Sequence, residues 1–305
     1  MTGRFAIYAA PGSGSADAAA ALLRKRAEQW LGRSVAGNSV TPGVPAGWTR
    51  EAVDAMTVSA RRYGFHGTLK APFHLAPGRS PEELDAALAQ FAAGHERVLI
   101  PRLRVARLGG FFALVPGAEV TGVATEARVV IGAGAVAEAG VVAEAGAAAE
   151  AGAAEAGLHA LADEVVTAFD GFRGPPTEAE LASRDPASLS PRQRELLEAW
   201  GYPYVLDEFR FHLTVTDRIP AGRQAAVERT LNAWFAASLG ATVPVDALAL
   251  FTEAEPGAPF TLRAVHPLRP YTPVPTTPVP TTPVPTTRVP TTRVPTHATD
   301  SEGAR

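Results

Sequence analysis

Two short segments carry matching chemistry. Phe65-His66-Gly67-Thr68-Leu69 and Phe211-His212-Leu213-Thr214-Val215 both read Phe-His-x-Thr-aliphatic. Side chains of a strand alternate between its faces, so the first segment groups His66, Thr68 and Lys70 on one side, with Phe65, Leu69 and Ala71 opposite. The second groups Arg210, His212, Thr214 and Thr216 against Phe209, Phe211, Leu213 and Val215. Each strand thus offers an apolar face for a core and a polar face of imidazole, hydroxyl and cation. Two such faces turned toward each other would form a cleft with two imidazoles, several hydroxyls and two positive charges. That is a phosphate site holding an acid and a base, because imidazole exchanges its proton near neutrality. His66 and His212 are the candidates for proton transfer. Thr68, Thr214, Lys70 and Arg210 are the candidates for phosphate binding. Tyr8, Tyr63, Arg107, Tyr202 and Tyr204 are further candidates for the mouth of the cleft.

The tripeptide alone is weak. With seven histidines in the chain, about one His-x-Ser/Thr is expected by chance, and His297-Ala298-Thr299 near the C-terminal end is such a case. Specificity lies in the flanking residues and in the matched positions. Lys70 is one of two lysines beside 26 arginines. His74 follows His66 by eight residues, but Pro72 interrupts the alternation and no carboxylate cluster accompanies it, so it reads as a surface histidine. His95, His159 and His266 fall at element ends and read as solvated. Arg24-Lys25-Arg26 fits the solvent side of a helix, whose inner face would carry Leu22, Leu23, Arg26 and Trp30. Gly12-Ser13-Gly14 lacks the Lys-Ser/Thr of a P-loop and reads as a turn.

The elements that must position these residues fall into two similar halves. A strand at 5–9 precedes a helix opened by Ser15 and closed at Gly32. A short helix from 49 to about 59 leads into a strand over 63–73. Ser80-Pro81-Glu82-Glu83 has the form of a capped helix start, and that helix ends at Gly94. Strands around 98–106 and 111–115 flank Gly109-Gly110. Later come helices at about 158–170, after Thr177 and after Ser190, then a strand over 204–216, a helix over 222–238, and strands around 243–251 and 259–266. His66 lies 37 residues before Leu103, and His212 lies 36 before Leu248. The reading is an α+β chain of two pseudo-symmetric antiparallel-sheet lobes, with flanking helices and a central cleft lined by the two His-x-Thr strands. Its boundaries are a first lobe at 1–117, a low-complexity Ala/Glu/Gly insertion at 118–157, a helical connector at 158–201 and a second lobe at 202–270. A disordered Thr/Pro-rich tail at 271–305 completes it. The insertion has no leucine or aromatic residue to bury over 135–157, and the tail repeats TTPVP-type units that favour extended polyproline II.

The paired motif resembles the two-histidine phosphoesterase superfamily, which includes bacterial RNA 2′,3′-cyclic phosphodiesterases. RRYGFHGTLKAPF, RLGGFFALVP, AFDGFRGPP, GYPYVLDEFRFHLTVT and DALALF look like the branch found as an uncharacterised protein of phosphonate-utilisation operons. The likeness covers about 4–117 and 158–268 and leaves out the insertion and the tail. It implies a bilobal fold, no cofactor or metal, and phosphoester chemistry centred on His66, Thr68, His212 and Thr214. Gly67 departs from it in being small, on the face assigned to the core.

On that reading the substrate is a small cyclic phosphodiester of a sugar or nucleotide. One histidine would deprotonate water, the other would protonate the leaving alkoxide, and Thr68 and Thr214 would donate to the non-bridging oxygens. A non-catalytic module holding a nucleotide or RNA end in the same cleft is the alternative, with RNA end processing or ligation a third.

Composition narrows the classes. A formal charge of −3 and a pI near 6.2 argue against a long nucleic acid as partner. The absence of cysteine excludes disulfides and thiol chemistry. No apolar run is long enough to span a membrane and no signal peptide is evident, so the expectation is a cytoplasmic monomer acting on a small molecule.

Overall fold

The computed structural model describes residues 3–117 and 137–270. Its framework is a seven-stranded sheet, made of β1 (Arg4–Ala9), β2 (Gly67–Phe73), β4 (Arg104–Leu108), β5 (Phe111–Val115), β6 (Leu213–Thr214), β8 (Ala247–Glu253) and β9 (Thr261–Pro267). Their order is β4-β5-β6-β2-β1-β8-β9, and every named pairing is antiparallel. A separate ribbon joins β3 (Val98–Ile100) to β7 (Val243–Val245). The α+β expectation holds. The expected separation into two facing sheets does not: β2 and β6 are direct neighbours in one sheet, through Gly67 opposite Leu213. Strands of the two halves also interleave, with β8 on β1 and β7 on β3.

Eight helices accompany the strands among the described residues: α1 (Ala18–Leu31), α2 (Arg50–Ala55), α3 (Val58–Tyr63), α4 (Pro81–Gly94), α5 (Ala137–Ala168), α6 (Glu178–Ser183), α7 (Pro191–Trp200) and α8 (Ala221–Phe235). Their ends follow local chemistry. Ser80 and Ser190 each close a reciprocal capping box, with Glu83 and Gln193. Helix α1 is capped by Asp17 rather than Ser15, its carboxylate accepting from Ala20 N–H at 2.8 Å, and ends at Gly32 in the left-handed conformation. The single helix expected over 49–59 is two helices, broken at Met56-Thr57.

Helix α5 corrects the reading of the Ala/Glu/Gly repeat, which is helical from Ala137 onward rather than separate from the helix at 158. The absence of core from 151 to 157 agrees with the composition: those residues are exposed or half-buried, and full burial begins at Leu158. The rest of the expected insertion, 118–136, and the tail at 271–305 lie outside the described residues.

The sheet has an apolar core on each face. Phe5, Ile7 and Ala9 join Leu23, Trp30, Leu84, Phe112 and Leu231 in the larger cluster. Ala6, Tyr8, Ala249, Phe251 and Phe260 make the smaller one, against which Tyr63 packs. Helix α1 contributes Ala20, Leu23, Ala27, Trp30 and Leu31, and its Trp30 Nε1 donates to the Val215 carbonyl at 2.7 Å. Leu22 is exposed, and Arg26 lies over the Trp234 ring. Arg24, expected in solvent, is buried with its Nε donating to the Pro11 carbonyl at 2.9 Å.

Candidate active site

Each histidine sits one residue before the ladder of its strand, where the backbone is extended but not yet paired along its length. The two make the same local contact. His66 Nδ1 donates to the Gly64 carbonyl at 2.9 Å, and His212 Nδ1 donates to the Arg210 carbonyl at 2.7 Å. A carbonyl can only accept, so Nδ1 carries the proton in both rings and Nε2 is left for a ligand. Gly64 is required for this geometry. Its φ is +77°, and a Cβ there would stand 2.0 Å from Val35 Cγ1.

Distant residues set the approach to His66. Helix α3 has no side-chain cap of its own; the Asp217 carboxylate accepts from Ser59 and Ala60 N–H, each at 2.9 Å. Asp217 stands five residues after His212, so one carboxylate ties the two histidine segments together. At the other end of α3, Arg33 donates to the carbonyls of Arg61, Arg62 and Phe260. Beneath His66 the Tyr8 ring stacks with centroids 3.8 Å apart.

His66, Thr68, His212 and Thr214 line one concavity of about 420 Å³, with Tyr8, Tyr63 and Tyr202 on its walls. A second compartment of about 550 Å³ shares Thr68, Phe111, Tyr202, His212 and Arg218 with the first and adds Arg107, Tyr204 and Arg210. Of the residues expected at the cleft mouth, Tyr8, Tyr63 and Tyr202 line the first compartment, and Arg107, Tyr202 and Tyr204 line the second. Sequence reasoning missed Arg184, Arg218, Phe111 and Asp217, which line the first compartment as well. Arg218 follows His212 by six residues, beyond the span in which strand alternation gives a face.

Lys70 departs from its expected role. Its ammonium is buried, donating to the Val166 carbonyl at 3.0 Å and to Asp170 Oδ1 at 3.2 Å, and it lines neither compartment. Strand β2 explains this. Tyr8 is opposite Thr68, but Ile7 is opposite Lys70, so one extra residue enters β2 at Leu69. The bulge turns Lys70 to the side of Ile7, under α5. Thr216 lines the first compartment with His212 and Thr214, and its Oγ accepts from Phe112 N–H at 2.9 Å.

The other described histidines are more engaged than expected. His95 Nε2 meets Glu164 at 2.7 Å and its ring stacks on Phe91; His266 Nε2 meets Asp85 at 2.8 Å. His74 faces Glu180 at 3.4 Å, and His159 packs edge-on to Phe209. Among the described residues, no group of three or more His, Asp or Glu side chains is placed to hold a metal ion. Nor is any described helix long and apolar enough to cross a membrane.

Burial sets the electrostatics. It pushes the His66 imidazole down from its ordinary value to about 4, with the charges of His212 and Arg24 acting in the same direction and the Gly64 hydrogen bond opposing. Burial lowers His212 as well, against the hydrogen bond to Arg210. Both rings are thus held neutral at pH 7, poised to accept a proton at Nε2.

Gly67, between His66 and Thr68, has a packing reason to be small. A Cβ there would lie 2.7 Å from Cε2 and Cζ of Phe211, across the β2–β6 pairing. Gly67→Ala is expected to cost about 1–3 kcal/mol, the usual penalty of overpacking. An unchanged urea midpoint would contradict this packing.

A family described as "Protein of unknown function (DUF1045)" matches residues 68–133 and 138–261. The chain belongs to this family. The match takes in Thr68, His212 and Thr214 and begins two residues after His66. Among curated proteins, the chain is similar to a ribose 1,5-bisphosphate phosphokinase PhnN of Janthinobacterium sp. (strain Marseille), at 34% identity over 266 residues. That alignment covers 84% of this chain and 49% of the relative. A protein of the same name from Laribacter hongkongensis (strain HLHK9) is 33% identical over 266 residues, covering 85% and 50%. The chain spans about half the length of the curated relatives it matches.

Proposed function

We propose that this family member is a metal-independent phosphoesterase that hydrolyses a cyclic phosphodiester of a small sugar or nucleotide, within phosphonate metabolism. One observation carries the reading: two imidazoles share one concavity, each with Nδ1 tied to the carbonyl two residues before it and Nε2 available. Neither the Thr68 nor the Thr214 hydroxyl has a protein hydrogen-bond partner among the described residues, which suits them to non-bridging phosphate oxygens. The ribose phosphate named for the relatives supports a sugar phosphate as substrate. The phosphokinase activity in that name belongs to proteins about twice the length of this chain. A phosphoryl-transfer loop of the GxxxxGK[ST] kind is absent from this sequence, and its lysines are Lys25 on α1 and the buried Lys70.

His66, the ring held most strongly neutral, acts as base and takes a proton from water. The water oxygen bonds to phosphorus as the bond to one ring alkoxide breaks. His212, in the minority of molecules in which its Nε2 is also protonated, gives that proton to the alkoxide, and the product is a phosphomonoester. Arg210 and Arg218 offset the charge that develops.

The pH dependence follows from both imidazoles lying below their ordinary value. The productive state carries one proton on the pair, so kcat/KM should peak below pH 6.5 and fall about tenfold per unit on the alkaline side. A maximum above pH 8 would contradict the pair as acid and base.

The direct test is hydrolysis of a panel of cyclic and linear phosphodiesters with EDTA present throughout. Release of a phosphomonoester from a cyclic substrate supports the reading. Tight binding without turnover would favour the binding module instead, and activity that returns only with zinc or manganese would overturn metal independence.

A further inference from the structure

The second compartment has a chemistry of its own. Arg107, Arg210 and Arg218 border it, and no ion pair engages any of the three among the described residues. Arg107 is held by the neutral Gln224, and Glu208, the one carboxylate on the lining, accepts from Gln193 at 3.0 Å. Several arginines elsewhere are matched to carboxylates: Arg4 and Arg62 share Glu253, Arg50 and Arg61 share Asp54, and Arg173 holds Asp170. Three guanidiniums without counter-ions around one hollow make a site for a dianion, since a guanidinium binds phosphate oxygens through paired N–H donors. The hollow opens onto the histidines through shared walls at Thr68 and His212.

We propose that this compartment binds a second, non-reacting phosphoryl group of the substrate. The substrate class is then a small sugar with a cyclic phosphodiester at one end and a phosphomonoester at the other. This rests on the phosphoesterase reading and adds what selects the substrate. Tyr204, 46% exposed on the same wall, could instead stack a nucleobase, but three unpaired cations fit a dianion better than a neutral ring.

The test compares two cyclic pentose phosphates that differ only in a distal phosphomonoester, with a 2′,3′-cyclic nucleotide as third substrate, on the full chain. The distal phosphate should raise kcat/KM at least about a hundredfold, mostly through KM, and the preference should shrink with added salt. Arg107→Gln, which removes the arginine that lines the second compartment alone and has no part in the chemistry, should cut that preference about tenfold. Equal kcat/KM for the two sugars, or a preference for the nucleotide, would overturn the subsite while leaving the phosphoesterase intact. If no substrate turns over, calorimetry with a pentose bisphosphate and its monophosphate still decides. Tighter binding of the bisphosphate, lost in Arg107→Gln, supports the subsite, and equal binding overturns it.

Discussion

His66→Ala and His212→Ala should each lower turnover of a cyclic phosphodiester by about a thousandfold, within the range that positioned acid–base groups contribute. The double variant should lose little more than the worse single one, because neither ring transfers a proton usefully without its partner. Folding should survive. Both side chains are half-buried at the wall of a concavity, and the one hydrogen bond each makes is to a backbone carbonyl two residues away. His66→Ala should also change the response to acid in a direction that can be stated in advance. The folded ring titrates at about 4 and the unfolded one near 6.5, so between those values the unfolded chain binds more protons. Native stability therefore falls as pH drops from 6.5 toward 4. The alanine variant should lose part of that fall and show a flatter urea midpoint over the same range. Residual turnover within tenfold of the parent, or a collapsed fold, would remove His66 and His212 from the chemistry.

How far the site could be read from sequence depends on how local each cause is. Alternation along a strand grouped His66 with Thr68 and His212 with Thr214, because one or two residues of regular backbone suffice for that. It failed two residues later in β2, though not at Thr216, which lines the same compartment as His212 and Thr214. The bulge at Leu69 carried Lys70 to the opposite face, where α5 supplies Val166 and Asp170. That deviation has no sequence signature, since it is decided by the neighbouring strand. The capping boxes at Ser80 and Ser190 were legible because donor and acceptor lie three residues apart. The Asp217 cap on α3 was not, with 158 residues between Asp217 and Ser59. Arg24 was misread for a related reason: its partner Pro11 lies in a loop that folds back on α1, and periodicity along the helix does not show that. Two facing lobes were expected because each half has its own hydrophobic pattern. That pattern does not reveal that strands of the two halves interleave, with β6 inserted between β5 and β2.

Phe65→Ala and Phe211→Ala should each cost about 3–5 kcal/mol, the range for emptying a buried phenylalanine site. Phe65 is 1% exposed and Phe211 is 5% exposed, and both belong to the larger core. For a folded unit of this size that loss lowers the melting temperature by roughly 10 °C. The two positions should differ in their effect on the site. The Phe211 ring lies against Gly67, so its removal opens space at the β2–β6 contact that holds the two histidine segments side by side. Phe211→Ala should therefore raise KM as well as lower stability, and Phe211→Leu, which refills most of the volume, should restore both in part. Phe65 is buried on its own side of β2 and should affect stability first. The opposite pattern, histidine variants that unfold and phenylalanine variants that do not, would mean that the two faces are reversed. The imidazoles would then be core groups, and the acid–base chemistry would have to reside on other walls of the concavity.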